Sequence, residues 1–255
     1  MKLNARLQTA QSPYSLTPLV LIHGLFGSLD NLGMLARDLS HTRTVLQIDL
    51  RNHGESLHSD EMNYALMAKD VLETLDAYHL QSVIPIGHSM GGKVAMKLSS
   101  LAPQRVPRMG IIDIAPVVYS TRHHDTIFKS IQSVNDARVT TRQAAAEIMR
   151  HDIKEEGVIQ FLLKSFIDGR WRFNVPALWH HYNEIIGWET LTPQRIPTLF
   201  IRGANSPYIQ ESYREAILSQ FPVAQAHVIA GAGHWVHAEK PEAVLRVLHR
   251  FLDSD

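Results

Sequence analysis

The sequence predicts an α/β protein with a doubly wound, mostly parallel sheet and an inserted helical cap. Three observations support this fold class. Short apolar runs alternate with segments of helical periodicity in the first half of the chain, the alternation stops after Pro116, and it resumes near Pro197. Strands that are separated by helices pair in parallel, and the crossover helices cover both faces of the sheet.

The predicted strands are short apolar runs, and the predicted helices are longer segments whose apolar residues recur at helical spacing. The strands span residues 19–24, 44–50, 82–86, 108–114, 197–203 and 224–230. The helices span residues 31–40, 64–78, 91–102, 213–221 and 241–252, with two more at 141–150 and 157–166. The last two lie in the segment where the strands are interrupted.

That middle segment has no strand of the same type, and it holds three of the four tryptophans: Trp171, Trp179 and Trp188. Ligands of open α/β sheets bind beyond the carboxyl ends of the strands, so an insertion that leaves from such an end would cover the site. We therefore expect two parts in this chain. They are an α/β core of residues 1–116 and 193–255 and a helical cap of residues 117–192.

Composition limits the possible functions. The chain has 255 residues, enough for one substantial core and an insertion. Lys plus Arg equals Asp plus Glu at 25 each, so no net charge favours nucleic acid or an anionic membrane. The absence of cysteine excludes disulfides, thiol catalysis and thiolate metal sites. We see no signal peptide and no membrane-spanning run, so a cytoplasmic location is expected.

A serine between two glycines marks the most informative position. The segment Gly87-His88-Ser89-Met90-Gly91 lies between a predicted strand and a predicted helix, with Gly92 next to it. A sharp strand-to-helix turn of this type exposes a nucleophilic serine, and glycines are needed where a Cβ would crowd the strand and helix. We therefore predict Ser89 as a nucleophile.

A serine hydroxyl needs a base, and fifteen histidines are available. His234 is the predicted base because it follows the last predicted strand in the segment 231–235, where a loop reaches the sheet edge. His237 is the alternative. His23 and His88 lie too close to the backbone of the strand ends to reach the serine.

The acid is harder to place, because the loop 203–207 after the next-to-last predicted strand contains no carboxylate. Asp113 ends an apolar strand, where burial of a charge is unfavourable unless the charge is paired. We predict that it pairs with His234, although it could instead cap the start of the insertion. Ser206 would support it with a hydrogen bond, and Glu211 is the next acid to test.

A developing oxyanion needs two backbone N–H donors. Met90 should supply one, and Leu25, in the glycine-containing segment 23–27, should supply the other. A simple glycine-rich turn is the alternative for that segment. Asp49 precedes the serine in the chain and is predicted to organise the turn at 51–56.

Aromatic residues of the cap and of the two loops are candidates for the walls of a substrate pocket. They are Phe26, Phe128, Phe166, Trp171, Trp179 and Trp235. The histidine pairs 123–124 and 180–181 lack an acidic partner at ligand spacing, so a surface position is expected for them and no metal is predicted. The glycines do not form a dinucleotide-binding pattern, and no cofactor is expected.

Four segments together resemble the α/β-hydrolase superfamily, over essentially the whole chain. They are HGLFGS (23–28), IDLRNHGES (48–56), GHSMGGKVAM (87–96) and GAGHW (231–235). Within that superfamily the chain is most similar to small esterases and related abhydrolase-domain proteins. This resemblance implies a helical cap, hydrolysis of small acyl esters and of acyl-thioesters of the acyl-CoA type, and an acid at Asp113. Ser206 departs from the superfamily, which usually has aspartate there.

The expected function is therefore that of a serine esterase or thioesterase that forms an acyl-enzyme on a small-molecule substrate. Haloalkane dehalogenases and epoxide hydrolases resemble a version of this fold with aspartate at the elbow, so Ser89 argues against both. A carbon–carbon bond hydrolase, a peptidase and a non-enzymatic binding module stay open as alternatives. The physiological substrate, the acyl-chain length and the oligomeric state are not determined by the sequence.

Overall fold

The computed structural model describes residues 1–12 and 15–253. The predicted core range also includes 13–14 and 254–255, which lie outside the described residues. The strands of the described part are β1 (Ala5–Gln8), β2 (Leu19–Ile22), β3 (Val45–Ile48), β4 (Ile84–His88), β5 (Met109–Ile112), β6 (Phe166–Ile167), β7 (Arg170–Trp171), β8 (Thr198–Gly203) and β9 (Gln225–Ile229).

The helices lie both beside the sheet and in the insertion. They are α1 (Gly33–Leu39), α2 (Tyr64–Ala77), α3 (Met90–Leu101), α4 (Asp125–Ala137), α5 (Arg142–Met149), α6 (Glu156–Leu163), α7 (Val175–His180), α8 (Tyr182–Ile186), α9 (Arg214–Gln220), α10 (Val236–Glu239) and α11 (Pro241–Asp253). In the described ranges, no helix combines the length and the apolar character needed to cross a membrane.

Seven strands form one sheet in the order β1-β3-β2-β4-β5-β8-β9. All neighbouring pairs are parallel except β1 and β3, which pair antiparallel with Ala5 opposite Ile48. The predicted fold class, a doubly wound and mostly parallel sheet, is confirmed. The sequence does not predict β1, because this short edge strand has no apolar run and lies half-exposed.

Both faces of the sheet are covered, as the apolar runs of the strands require. On β2, Val20 and Ile22 belong to the core shared with α2 and α3, whereas Leu19 and Leu21 belong to the core shared with α1 and α11. Successive side chains of a strand point to opposite faces, so a strand buried on both faces must be apolar throughout.

The direction of chain progression reverses at β2. This strand is bonded to β3 on one side and to β4 on the other, so the connections after β2 and β4 diverge. Crevices at such switch points are where open α/β sheets bind ligands. The elbow segment follows β4 at this position, and the segment 23–27 follows β2.

The insertion between β5 and β8 contains helices α4 to α8 and the hairpin β6–β7. The helix predicted at 157–166 ends at Leu163, because Phe166 pairs with Trp171 in the hairpin. Asp168 and Gly169 have φ values of 49° and 74° at the hairpin turn. An Asp-Gly pair with positive φ is a strong hairpin signal, so the sequence did contain the information that the helix prediction overlooked.

Candidate active site

Ser89 stands at a strained turn between β4 and α3. Its φ is 53° and its ψ is −123°, a backbone conformation that residues with a side chain rarely adopt. The turn is tight enough that a Cβ on Gly87 would lie 2.2 Å from the carbonyl oxygen of Gly91, and one on Gly91 would lie 2.2 Å from that of Ile22. The glycines are therefore required by the packing, and strain of this kind concentrates at functional sites.

A hydrogen-bonded chain joins Ser89, His234 and Asp113. Nδ1 of His234 lies 2.7 Å from Oδ2 of Asp113, and its Nε2 lies 2.9 Å from Oγ of Ser89. The carboxylate can only accept, so Nδ1 carries the proton and Nε2 accepts from the hydroxyl. The three side chains come from the loops after β4, β5 and β9, and the sheet brings them together as predicted.

Asp113 is completely buried directly after β5, where its backbone φ is 56°. Its Oδ1 accepts a hydrogen bond of 3.0 Å from the backbone N–H of Gly203. Its Oδ2 accepts from the hydroxyl of Ser206 as well as from His234. Hydrogen-bond donors therefore surround the carboxylate, and they compensate for the burial of its charge at the end of an apolar strand.

Burial sets the protonation of the pair. It lowers the pKa of His234 to about 3, with a smaller contribution from the nearby His123. The imidazole is therefore neutral at pH 7 and ready to accept a proton. Burial raises the pKa of Asp113 to about 6, against the hydrogen bonds from Ser206 and Gly203. The carboxylate is therefore ionised at neutral pH.

Neighbouring rings hold the loop that carries His234. The ring of Tyr208 stacks on the imidazole at 3.9 Å between centroids, and Nε2 of His88 donates a 2.9 Å hydrogen bond to the carbonyl of His234. His237, the alternative base, packs its ring 4.3 Å from that of His88. His23 donates from Nδ1 to the carbonyl of Gly24 and accepts at Nε2 from the backbone N–H of Leu50.

The two predicted oxyanion donors border Ser89. Met90 is the first residue of α3, where an N–H has no acceptor within its own helix. Leu25 follows Gly24, whose position is so close to Ser89 that a Cβ on Gly24 would lie 3.2 Å from the serine Cβ. The next residue, Phe26, has a φ of 64° and donates its N–H to His53. The turn is thereby fixed with Leu25 facing the serine cavities.

Two cavities of about 20 Å³ each flank Ser89. The histidine-lined cavity is bounded by His23, His88, His124, His234, His237, Phe161 and Trp235, together with Leu25 and Ser89. The tyrosine-lined cavity is bounded by Tyr64, Tyr119, Tyr182, Tyr208, Met90, Lys93, Ile114, Ile185 and Ile186, again with Leu25 and Ser89. Each volume is about that of one water molecule, so both cavities are narrow in this conformation.

Of the predicted pocket residues, Trp235 lines the histidine-lined cavity. Phe26 and Phe128 pack together behind the tyrosine-lined cavity, since the ring of Phe128 lies 5.3 Å from that of Tyr182. Trp179 is exposed and packs on Phe128. Phe166 and Trp171 pack on one another in the hairpin. A role of these five residues in acyl-chain binding stays a prediction.

Several lining residues were missed by the sequence analysis. Phe161 lies within a predicted helix, and the tyrosines carry no motif that distinguishes them from core residues. His124 was expected at the surface, and that prediction is wrong. It is half-buried and lines both cavities. Its Nδ1 forms a hydrogen bond of 2.8 Å with the hydroxyl of Tyr182.

The other acids have structural partners. Asp49 accepts hydrogen bonds from the backbone N–H groups of Leu29 and Glu55, so it organises the turn as predicted. Glu211 is exposed and pairs with Arg214 at 3.3 Å. In the described part of the chain, no three His, Cys, Asp or Glu side chains are grouped as metal ligands would be.

Comparison with known proteins identifies the family. The model of the alpha/beta hydrolase family matches residues 19–247. The chain belongs to the α/β-hydrolase family. It is 58% identical to esterase YbfF of Escherichia coli over 254 residues, which cover 100% of both chains. It is 37% identical to the sn-1-specific diacylglycerol lipase ABHD11 of Danio rerio, over 92% of this chain and 78% of that protein.

A solved structure supports the same assignment. The structure titled marine microorganism esterase superposes with a TM-score of 0.92 at 34% identity, and the match covers 98% of this chain and 99% of that one. The resemblance to small esterases and abhydrolase-domain proteins that the motifs indicated is therefore confirmed. The chain is an α/β-hydrolase whose relatives include esterases and lipases.

Proposed function

We propose that this protein is a serine esterase that hydrolyses small acyl esters and acyl-thioesters through an acyl-enzyme on Ser89. The observation that carries the proposal is the unbroken hydrogen-bonded chain from Ser89 Oγ through His234 to Asp113. A binding protein has no need for a neutral buried imidazole on a serine hydroxyl. Sequence relatives named esterase and lipase support the same reaction class.

In the acylation step, Ser89 Oγ attacks the substrate carbonyl while Nε2 of His234 takes the hydroxyl proton. Asp113 keeps Nδ1 protonated and stabilises the imidazolium that forms. The N–H groups of Leu25 and Met90 donate to the developing oxyanion. His234 then returns the proton to the leaving oxygen or sulfur, and the acyl group stays on Ser89.

In the deacylation step, a water molecule replaces the leaving group. His234 takes a proton from this water, which attacks the acyl carbon at the same oxyanion donors. Collapse of the intermediate returns the proton to Ser89 Oγ and releases the acid. A thiol is a stronger acid than an alcohol, so a thioester needs less help from His234 at departure.

The two cavities support an assignment of the substrate parts. The tyrosine-lined cavity holds both oxyanion donors and the apolar side chains of Ile114, Ile185 and Ile186, so we place the acyl group there. The histidine-lined cavity then takes the leaving group. Each is about 20 Å³, smaller than any acyl group, so we propose that the cap, residues 117–192, shifts when substrate enters and shifts further for a longer chain.

A fluorophosphonate probe tests the proposal, because it reacts with a serine only when a neighbouring base activates the hydroxyl. We expect one adduct on the wild-type protein, located by peptide mapping at Ser89. The Ser89→Ala variant should give no adduct, and Ser206→Ala, which keeps the serine–histidine contact, should still react. An unlabelled wild type, or a label that persists in Ser89→Ala, would overturn the proposal.

A further inference from the structure

Lys93 is a buried lysine for which the proposed reaction has no use. It is the fourth residue of α3, one helical turn from Ser89, and only 1% of it is exposed. Its Nζ donates to the backbone carbonyls of Val117 and Gly187 at 2.8 Å and of Ile186 at 3.3 Å. In the described residues, no carboxylate forms an ion pair with it. In the described part of the chain, its hydrogen bonds therefore go to backbone carbonyls.

The surroundings match a protonated amine. An ammonium group has three donors, and three carbonyl oxygens accept from this one. The ring of Tyr119 lies 4.8 Å from Nζ, and those of Tyr64 and Trp188 lie 5.7 Å away, at cation–π distances. Burial lowers the pKa of Lys93 to about 7. An apolar side chain would have filled this position with less penalty, so the polar contacts need an explanation.

The acceptors of Lys93 lie in both connections of the insertion. Val117 belongs to the connection that leaves β5, whereas Ile186 ends α8 and Gly187 begins the connection that returns toward β8. The two connections also bond to each other, through the N–H of Tyr119 and the carbonyl of Ile186 at 2.9 Å. One side chain of the elbow helix therefore holds the entry and the exit of the inserted segment together.

Gln220 makes the same type of contact from α9. It is 2% exposed, and its Nε2 donates to the carbonyl of Pro116 at 2.9 Å. Its Oε1 accepts from the backbone N–H of Leu191 at 3.0 Å and from the indole of Trp188 at 2.8 Å. Pro116 lies in the entry connection, whereas Leu191 and Trp188 belong to the exit connection. Two buried side chains from different helices thus hold the entry and exit connections, which together form the base of the inserted segment.

This base forms a wall of the tyrosine-lined cavity. Lys93 and Ile186 line that cavity together with Ser89, and so does Tyr119. The separation of the connections from α3 therefore sets the space beside the nucleophile. A shift of this base by even one methylene length would change which acyl groups fit, since packed pockets discriminate at that scale.

We propose that Lys93 and Gln220 are positioning residues that hold the base of the inserted segment against the elbow helix and so limit the length of the acyl chain that reaches Ser89. The proposal rests on the proposed esterase function. Hydrogen bonds to main-chain carbonyls are directional, so this pair fixes a position that apolar packing alone would leave adjustable.

The test compares Lys93→Met and Gln220→Met with wild type on p-nitrophenyl acetate and octanoate. Methionine keeps the length of glutamine, is one atom shorter than lysine, and removes the hydrogen bonds of both. We expect the ratio of kcat/KM for octanoate to that for acetate to rise about tenfold in each variant, mainly through a lower KM for octanoate. If the two residues contributed to stability alone, the ratio of kcat/KM for octanoate to that for acetate would not change, and the KM for octanoate would not fall.

Lys97→Met is the matched control. Lys97 lies on the same helix and pairs with Glu189 of the exit connection at 2.9 Å, but its partner is exposed. Surface pairs contribute little, so its ratio should stay within about twofold of wild type. An unchanged ratio in both folded variants, an equal change in Lys97→Met, or failure of both variants to fold would overturn the proposal.

The same experiment separates this inference from the proposed function. If the wild type shows Ser89-dependent turnover and the chain-length ratio does not respond to the variants, only the positioning role is wrong. If the wild type shows no Ser89-dependent turnover on either ester, the proposed function fails, and the positioning role fails with it. If only one of the two variants folds, the ratio measured on that variant decides.

Discussion

The edge of the sheet and the inserted segment that covers it are built differently. At the sheet edge, the side chain of Asp113 accepts from three donors, and His234 is held at both ring nitrogens. Over it, the inserted segment adds the apolar side chains of Phe161, Ile185 and Ile186 to the cavity walls, and packing rather than hydrogen bonding holds these side chains. We infer that directional contacts fix the reacting groups, whereas these apolar walls determine the space for the substrate.

Backbone strain is present at the sheet edge. Phe26, Ser89 and Asp113 all have positive φ values, and each follows the carboxyl end of a strand. Strain persists only where the surrounding structure holds it, and the parallel sheet provides that support. Changes at the sheet edge should therefore remove activity, and changes in the insertion should redirect it.

The largest effect is expected at the nucleophile and the base. Ser89→Ala or His234→Ala should each lower turnover of an activated ester by about 10⁴-fold or more, and the double variant should be little worse, because the residues act as a unit. The measurement is steady-state turnover after circular dichroism has shown that each variant is folded. If Ser89→Ala kept a tenth of wild-type turnover, Ser89 would not be the nucleophile.

Substitution of Asp113 should lower turnover nearly as much, whereas substitution of Ser206 should lower it much less. Asp113→Asn should reduce turnover by about 10⁴-fold, because the amide no longer stabilises the imidazolium. Ser206→Ala removes one hydrogen bond to the carboxylate, worth about 0.5–1.5 kcal/mol, so about a tenfold loss is expected. Kinetics of the two variants on the same ester check the difference.

A double substitution sharpens this result. Ser206 and His234 both contact Oδ2 of Asp113, so a carboxylate placed at position 206 lies near the imidazole. Ser206→Asp in the Asp113→Asn background should therefore recover part of the lost turnover. Near-wild-type activity of Asp113→Asn alone would instead place the acid elsewhere.

The pH dependence follows from the two shifted groups. On acidification from neutral pH, Asp113 takes a proton at about 6, well before His234 at about 3. The activity of the wild type should therefore fall below about pH 6, and Asp113→Asn should lack this limb. A profile of kcat/KM against pH for both proteins tests the assignment, and an identical acidic limb in both would refute it.

The same shift has a consequence for stability. The folded chain holds the proton of Asp113 more tightly than the unfolded chain does, so the contribution of this group is present at low pH and is lost as the pH rises through about 6. Asp113→Asn should therefore have a higher Tm than wild type at pH 8 and a similar Tm at pH 4. Thermal unfolding at both pH values measures the effect.

The smallest expected effect lies in the insertion. Phe161 lines the histidine-lined cavity and packs on Trp235 at 5.7 Å. Phe161→Ala should shift the preference among leaving groups by about tenfold while the preference among acyl groups changes less. Val118→Ala, at an exposed position of the same segment, is the control. Equal shifts for both substrate parts would argue against the assignment of the cavities.

The sheet and the three catalytic candidates followed from local signals. Apolar runs predict strands, the glycines around Ser89 predict a sharp turn, and an unexplained Asp113 on an apolar strand calls for a partner. Local signals suffice here because the carboxyl ends of parallel strands lie at one edge of the sheet and bring the residues that follow them together. Their hydrogen bonds could be anticipated without knowing how the rest of the chain packs.

The cavity walls and the base of the insertion were not accessible in this way. Phe161 and Tyr182 become lining residues only through the packing of α6 and α8 over the edge, and His124 is drawn inward by its bond to Tyr182. The acceptors of Lys93 are main-chain carbonyls. Every residue has such a carbonyl, so the sequence does not indicate which ones accept from Lys93. Contacts that depend on tertiary packing leave no periodic pattern to detect.

The most direct test of the central claim is to trap the acyl group. Rapid-quench mass spectrometry during the first turnover of p-nitrophenyl acetate, whose phenolate leaves quickly, reports whether the chain becomes acylated. The account predicts a transient gain of one acetyl group on the peptide that contains Ser89, absent in Ser89→Ala. Hydrolysis without any acylated protein, or an acetyl group on another residue of the site, would contradict it.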